Sequence, residues 1–201
     1  MKIIFISGSH RKNSESTRIG KIVEQELKNL SPEITTDWID LGDQPLPMWE
    51  ESIWTGKGDL FELWKPYKSK LEEASAAVVL SPEYGGMASP ALKNFLLFVG
   101  HSLAHKPIQL VTISSSVGGA YPVSELRASG YKNSRILYVP DHIIVRHCVD
   151  LFKEKPDKKS EEEKLLKRIH YNLQVFLEYA KALSTVRSSG VIDLRTHPNG
   201  F

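Results

Sequence analysis

The chain is poor in the features that mark secreted, membrane-spanning and nucleic-acid-binding proteins. Its 201 residues include one cysteine, Cys148, which excludes an internal disulfide and a zinc site built on cysteines. No apolar run approaches the ~20 residues needed to span a bilayer, so we expect no membrane span. The formal net charge is only +2. This is too small to indicate a nucleic acid or an anionic membrane as a partner.

The N-terminus leads directly into a short apolar strand. It lacks the basic start, the apolar stretch and the small-residue cleavage site of a signal peptide. Together with the scarcity of cysteine, this predicts a cytoplasmic protein. The hydrophobic fraction of 41% over 201 residues is sufficient for one domain with a substantial core.

Strands and helices alternate along the sequence. Apolar runs predict five strands, at 2–7, 34–40, 76–81, 107–113 and 135–140. Apolar residues at helical spacing predict five helices, at 15–30, 59–74, 90–100, 121–131 and 160–186. This alternation indicates an α/β fold whose parallel sheet is covered by helices on both faces. The predicted strand order is 2-1-3-4-5, with a switch point between the first and third strands.

A polar loop follows the first predicted strand and leads into a helix. It contains Ser9, Arg11, Ser14, Ser16 and Thr17. Free N–H groups and the helix dipole favour an anion at a helix N-terminus, and hydroxyls and arginine bind phosphate well. The loop is therefore a candidate phosphate site. The alternative is a simple N-cap, at Ser14 or Ser16, with incidental polar neighbours.

Two more polar loops follow the third and fourth predicted strands. The first contains Pro82, Glu83, Tyr84, Gly85, Gly86 and Met87, and the second contains Ser115, Gly118 and Gly119. Glycines allow a ligand to approach backbone N–H groups, and proline stiffens a loop. Because the carboxyl ends of parallel strands meet at one sheet edge, we expect all three loops to converge there.

These motifs resemble the NADPH-dependent FMN reductase family of flavodoxin-like proteins, which includes chromate, quinone and azo-dye reductases. The first loop has the pattern G-S-x-R-x-x-S, and P-E-Y at 82–84 is followed by A-L-K-N at 91–94. The chain departs from the usual family pattern at Ser16, where asparagine is common, and at Gly85, where asparagine or histidine is frequent. The resemblance implies a single flavodoxin-like FMN-binding domain at 1–187. Gly190, Pro198 and Gly200 predict a loose C-terminal tail at 188–201.

The resemblance implies an FMN-dependent NAD(P)H oxidoreductase. NADPH or NADH would supply hydride to the flavin, and the acceptor would be a small molecule such as a quinone, chromate, an azo dye or a second flavin. Because the flavin carries the chemistry, we expect neither a catalytic side chain nor a metal. The expected cofactor-binding residues are Ser9, Arg11, Ser14, Ser16, Thr17, Pro82, Glu83, Tyr84, Gly85, Gly86, Met87, Ser115, Gly118 and Gly119. For Glu83, a loop-capping role remains open beside a flavin contact.

Two alternatives concern function and assembly. A flavin-binding redox sensor or electron-transfer partner with little turnover would share these motifs. The long stretch 46–64 carries Trp49, Trp54 and Trp64, which either pack under their own loop or form an interface or lid. With the family resemblance, this stretch predicts a homodimer or homotetramer.

Histidines provide the remaining candidates. His101 and His105 have the spacing of a metal pair without an evident third ligand, which favours an exposed helix terminus. His142 and His147 are predicted to lie in a loop after the fifth strand.

Overall fold

A central parallel sheet organises the molecule. The computed structural model describes residues 1–153 and 159–200. The strands are β1 (Lys2–Ser7), β2 (Thr35–Asp40), β3 (Ala76–Tyr84), β4 (Met87–Ala88), β5 (Pro107–Ile113) and β6 (Leu137–Val145). Five of them pair in parallel in the order β2-β1-β3-β5-β6, and the two-residue β4 pairs antiparallel with the end of β3. The predicted order of the five parallel strands is confirmed.

Helices cover both faces of this sheet. They are α1 (Glu15–Leu30), α2 (Asp59–Glu73), α3 (Pro90–Val99), α4 (Ala120–Ala128) and α5 (Lys159–Ser188). Short 3-10 turns occur at Glu51–Thr55 and Cys148–Asp150. No helix among the described residues is both long and apolar enough to cross a bilayer.

Side-chain alternation along the strands builds two separate cores. Ile3 and Phe5 of β1 face the core shared with α1 and α5, whereas Ile4 and Ile6 face the core shared with α2, α3 and α4. Successive side chains in a strand point to opposite faces, so a strand covered on both sides must be apolar at every position. The continuous apolar run of β1 is therefore explained by its central place in a doubly wound sheet, as predicted.

Several predicted bounds were wrong, most clearly for the last strand. The prediction of 135–140 ended five residues early, because Asp141 and His142 interrupt the apolar pattern. The structure accommodates them at an irregularity in the β5–β6 register between Ile108 and Leu110. His142 therefore lies within β6 rather than after it.

Other bounds differ at element ends. The predicted helix 121–131 stops at Ala128, just before Gly130, whose φ is 77°. The predicted third strand continues past 81 to Tyr84 because it turns directly into a hairpin.

The C-terminal residues form hydrogen bonds with the rest of the fold. The Arg135 guanidinium donates hydrogen bonds to the backbone oxygens of His197 and Asn199, the latter at 2.9 Å. His101 Nε2 lies 2.9 Å from the backbone oxygen of Pro198. These hydrogen bonds join residues 197–199 to parts of the fold that are far away in sequence.

A buried carboxylate on α1 stabilises the face that packs on β2. Glu24 is only 7% exposed and accepts hydrogen bonds from Thr36 at 2.5 Å and from Lys28 and Lys21 at 3.0 Å. Burial alone raises the pKa of Glu24, but the three hydrogen bonds outweigh it and lower this pKa from 4.5 to about 2. Since the folded state prefers the charged form, this contribution is present above pH 4.5 and is lost as pH falls toward 2.

We therefore predict that the effect of Glu24→Gln on stability depends on pH. At about pH 6 the substitution should lower the free energy of unfolding by about 1–3 kcal/mol, because it removes charged hydrogen bonds. The difference from the parent should shrink as pH falls through the range from 4.5 to about 2. Urea denaturation across this range measures it, with the exposed Glu178→Gln as control. A difference that is constant with pH would contradict the assignment.

Candidate functional site

A cavity of about 370 Å³ opens at the carboxyl edge of the sheet. It lies at the switch point between β1 and β3, where open α/β sheets bind ligands. Its lining residues are Ser9, Arg11, Asn13, Ser14, Glu15, Ser16, Pro82, Glu83, Tyr84, Ile113, Ser115, Cys148 and Val149. The loops predicted to converge do meet here. The segment after β6 joins them.

The N-terminus of α1 opens into this cavity. Ser14 is the N-cap, because its Oγ accepts a hydrogen bond from Thr17 N at 3.2 Å. The N–H groups of Glu15 and Ser16 belong to the first turn, where an α-helix offers no internal acceptor, and both residues line the cavity. The N-cap reading of Ser14 is thus correct, and it leaves a helix N-terminus suited to an anion.

Thr17 takes part in a different network. Its hydroxyl donates to Asp40 Oδ2 at 2.6 Å and lies 2.8 Å from Ser7 Oγ and 3.1 Å from Ser14 Oγ. These bonds tie α1 to β1 and to the end of β2. Thr17 lies outside the cavity lining, and its predicted contact with a cofactor stays a prediction.

Ser9 and Tyr84 connect two of the converging loops. Ser9 is 1% exposed, and its Oγ lies 2.9 Å from the Tyr84 hydroxyl while accepting a hydrogen bond from Arg11 N at 3.2 Å. The His10 ring meets the Tyr84 ring edge-on, with centroids 5.3 Å apart. The Tyr84 ring is therefore held in place by the first loop.

The segment expected to be an irregular loop is a tight hairpin. Tyr84 pairs with Met87, and Gly85 and Gly86 form the turn with φ of 58° and 78°. Two positive φ values in a two-residue turn are typical of a type I′ hairpin, which glycine adopts without strain. The two glycines and Met87 form the hairpin tip, and their contact with a cofactor stays a prediction.

Two carboxylates fasten this hairpin to α4. Glu83 accepts a hydrogen bond from the backbone N–H of Gly119, and Glu125 accepts one from Ala88 N at 2.6 Å. The hydrogen bond from Lys93 to Glu125, at 2.7 Å, lowers the pKa of Glu125 and keeps it charged. Glu83 thus has the loop-capping role, while it also lines the cavity. Gly118 and Gly119 lie outside the lining, and their cofactor contacts remain predictions.

Sequence reasoning missed several lining residues: Asn13, Glu15, Ile113, Cys148 and Val149. Cys148 and Val149 were missed because the last strand was ended too early, which moved their segment away from the sheet edge. The apolar stretch Ile143–Val145 was the signal that could have extended the strand. Burial raises the pKa of the Cys148 thiol, which is typical of an inert buried cysteine.

The chemistry of the lining suits a planar ligand that carries a phosphate. Arg11, the serine hydroxyls and the N–H groups of α1 offer donors to an anion, while Pro82, Tyr84 and Ile113 offer apolar and aromatic surface. Within residues 1–153 and 159–200, no three His, Cys, Asp or Glu side chains are close enough to hold a metal ion. The fold and the cavity define a flavodoxin-like protein of the kind that binds a mononucleotide cofactor.

The family follows from comparison with known sequences. A model of the NADPH-dependent FMN reductase family matches residues 1–150. The chain belongs to this family and is an FMN-dependent NAD(P)H oxidoreductase, as the motifs predicted.

Relatives agree with this assignment. The chain is 29% identical over 133 residues to an NADPH azoreductase of Bacillus sp. (strain OY1-2), an alignment covering 64% of this chain and 68% of the azoreductase. It is 27% identical over 162 residues to an NAD(P)H-dependent FMN reductase of Schizosaccharomyces pombe, covering 74% and 78% of the two chains. The flavoenzyme FerB of Paracoccus denitrificans shares the fold, with a TM-score of 0.68 at 16% identity over 89% of this chain and 98% of FerB.

We predict that Gly119 cannot carry a side chain without loss of stability. Its φ is 102°, and a Cβ atom there would overlap the Ile144 side chain. Gly58 is the matched control, because its φ is 91° and no described atom lies within 4 Å of an added Cβ. Gly119→Ala should therefore lower the free energy of unfolding by about 1–3 kcal/mol more than Gly58→Ala, as overpacking does. Equal losses in urea denaturation would show that backbone strain alone matters.

Proposed function

We propose that the cavity binds FMN, with the phosphate at the N-terminus of α1 and the ring along the end of β3. The observation that carries this proposal is that Arg11 and the first turn of α1 line the same cavity as Pro82 and Tyr84. Bound FMN would accept hydride from a nicotinamide and pass electrons to the acceptor. The side chains of this protein then serve to bind, orient and shield it.

The phosphate end uses charge and hydrogen-bond donors. Arg11 is exposed at the cavity mouth and can form a bidentate pair with a phosphate. The hydroxyls of Ser14 and Ser16 and the N–H groups of the first turn of α1 would donate hydrogen bonds to the phosphate oxygens. Because α1 is anchored through Thr17 to Asp40, these donors are in place before the ligand arrives.

The ring end uses the hairpin and its neighbours. Tyr84 would contact the ring, with its orientation set by Ser9. The N–H groups of the hairpin residues Gly85–Met87 would favour negative charge at the edge of the ring. Ser115 and the Gly118–Gly119 turn would lie near its far side.

The acceptor and the co-substrate extend this proposal. We infer that NADPH or NADH and a small acceptor, such as a quinone, chromate, an azo dye or a second flavin, use the open side of the ring in turn. The azoreductase and FMN reductase names of the relatives support this class. Steady-state NAD(P)H consumption, measured with each class of acceptor in turn, tests which acceptor is used, and the visible spectrum of the purified protein tests flavin binding itself. A cytoplasmic location stays a prediction.

We predict that Arg11→Ala weakens FMN binding by about 1.5–3 kcal/mol, the range for a hydrogen bond to a charged group. Riboflavin lacks the phosphate and should bind the parent and the variant equally well. Titration of the apoprotein, followed by flavin fluorescence, measures both affinities. Lys12→Ala is the control, because it removes a neighbouring positive charge outside the cavity lining. An equal loss for both flavins would assign Arg11 to the fold instead.

An exposed apolar face supports the proposed homodimer or homotetramer. Of the tryptophans in 46–64, Trp64 is 2% exposed and packs in the core, whereas Trp54 is 75% exposed. Met48 and Leu97 are exposed nearby and line a groove of about 470 Å³ between α3 and α4. We propose that a second copy of the chain covers this face, since large apolar patches are rare on monomers.

Trp54→Ala tests the assembly. Tryptophan is enriched at interface centres, so the variant should dissociate to monomers at concentrations where the parent remains associated. Light scattering at several concentrations measures this, and circular dichroism checks that the fold is retained. Tyr171→Ala on α5 removes a comparably exposed ring elsewhere and should leave the assembly intact. A parent that is monomeric at micromolar concentration with FMN bound would refute the proposal.

A further inference from the structure

The wall of the cavity opposite the first loop has a constrained backbone. Cys148 and Val149 line the cavity there, within a segment bounded by His147 and Phe152. These two residues have φ of 49° and 59°, although neither is a glycine. Such left-handed conformations are strained for residues other than glycine and persist only where the surroundings hold them. The shape of this wall therefore depends on its anchors.

Arg18 on α1 is the anchor at the middle of the segment. Its Nη2 donates to the backbone oxygen of Cys148 at 2.5 Å, and its Nη1 donates to that of Leu151 at 3.0 Å. The ends of the segment are held separately, by bonds from His147 N to Ser116 O at 3.0 Å and from Phe152 N to Glu162 at 2.6 Å. Cys148 N also donates to Ser114 O at 3.1 Å, so the turn that carries Cys148 and Val149 is held from the loop after β5 by a backbone hydrogen bond and from α1 by the Arg18 guanidinium.

The same guanidinium also neutralises a carboxylate of the cavity. Glu15 lines the cavity beside Ser14 and Ser16, and its Oε2 accepts hydrogen bonds from Arg18 Nε at 3.0 Å and Nη2 at 2.6 Å. An unpaired Glu15 would repel a phosphate bound at the N-terminus of α1. The pairing cancels this repulsion, and it also orients the planar fork toward the wall.

We propose that Arg18 is a positioning residue of the cofactor site, which shapes the Cys148–Val149 wall and masks the charge of Glu15 from the phosphate. This inference rests on the proposed FMN site. The two functions are separable, because the wall concerns any flavin, whereas the charge of Glu15 concerns only a flavin that carries a phosphate. The ratio of FMN affinity to riboflavin affinity therefore measures the effect of the Glu15 charge on the phosphate. The affinity for riboflavin alone measures the effect of the Cys148–Val149 wall.

The experiment titrates apoprotein variants with FMN and with riboflavin, followed by flavin fluorescence. Arg18→Met should weaken riboflavin binding and should lower the preference for FMN roughly tenfold, as expected for one uncompensated charge nearby. Arg18→Lys keeps the positive charge but cannot reproduce the paired hydrogen bonds of the guanidinium. The binding of both flavins should therefore weaken by the same factor. Glu15→Gln should raise the preference for FMN. Arg168→Met, which removes one positive charge outside the cavity lining, is the control and should change neither value.

The outcomes separate this inference from the proposed function. A parent that binds neither flavin overturns the proposed FMN site. A parent that binds FMN, with the same preference over riboflavin in Arg18→Met and Glu15→Gln, overturns the role of Arg18. If Arg18→Met does not fold, as judged by thermal melting, Arg18→Lys decides, since an unchanged riboflavin affinity in that variant overturns the role of Arg18 in shaping the wall.

Discussion

The close approach of Gly8 to the end of β3 and the start of α3 is the contact on which the site depends. Gly8 N donates to Leu80 O at 2.8 Å, and its backbone oxygen accepts a hydrogen bond from Ser89 Oγ. A Cβ atom at this position would lie 2.9 Å from Leu92 Cβ and 3.0 Å from Leu80 O. Only glycine lets the chain leave β1 this close to its neighbours, so the loop after β1 and the hairpin are brought side by side.

Around this contact, polar side chains fix the loops before any ligand binds. Asp40 holds Thr17, Glu83 holds the N-terminus of α4, and Glu125 holds the hairpin through Ala88. Each carboxylate accepts hydrogen bonds that would otherwise be lost at a loop or helix end. Because these loops are already ordered, they lose little conformational entropy when a ligand binds, and this raises the affinity of the site. The charged groups at the site therefore serve placement, in keeping with chemistry that is carried by a cofactor.

The two faces of the sheet serve different purposes. The face covered by α1 and α5 carries the loop after β1 and the segment after β6, and polar contacts such as that of Arg18 with the Cys148 backbone oxygen hold it together. The face covered by α2, α3 and α4 buries Trp64 but exposes Trp54, together with an apolar groove. The segment after β6 and the exposed apolar groove thus belong to opposite faces of one sheet.

The sequence by itself determined the sheet, its strand order and the polar loop that leads into α1, because apolar periodicity and helix capping are local signals. It did not determine that Gly85 and Gly86 form a hairpin, that β6 continues through His142, or that Glu83 caps α4. The wall residue Cys148 and its anchor Arg18 also escaped prediction. They are 130 positions apart in the chain, and their contact exists only after α1 and β6 have packed on the same sheet. Such roles belong to the tertiary structure, because a hydrogen bond between distant residues leaves no periodic trace in the sequence.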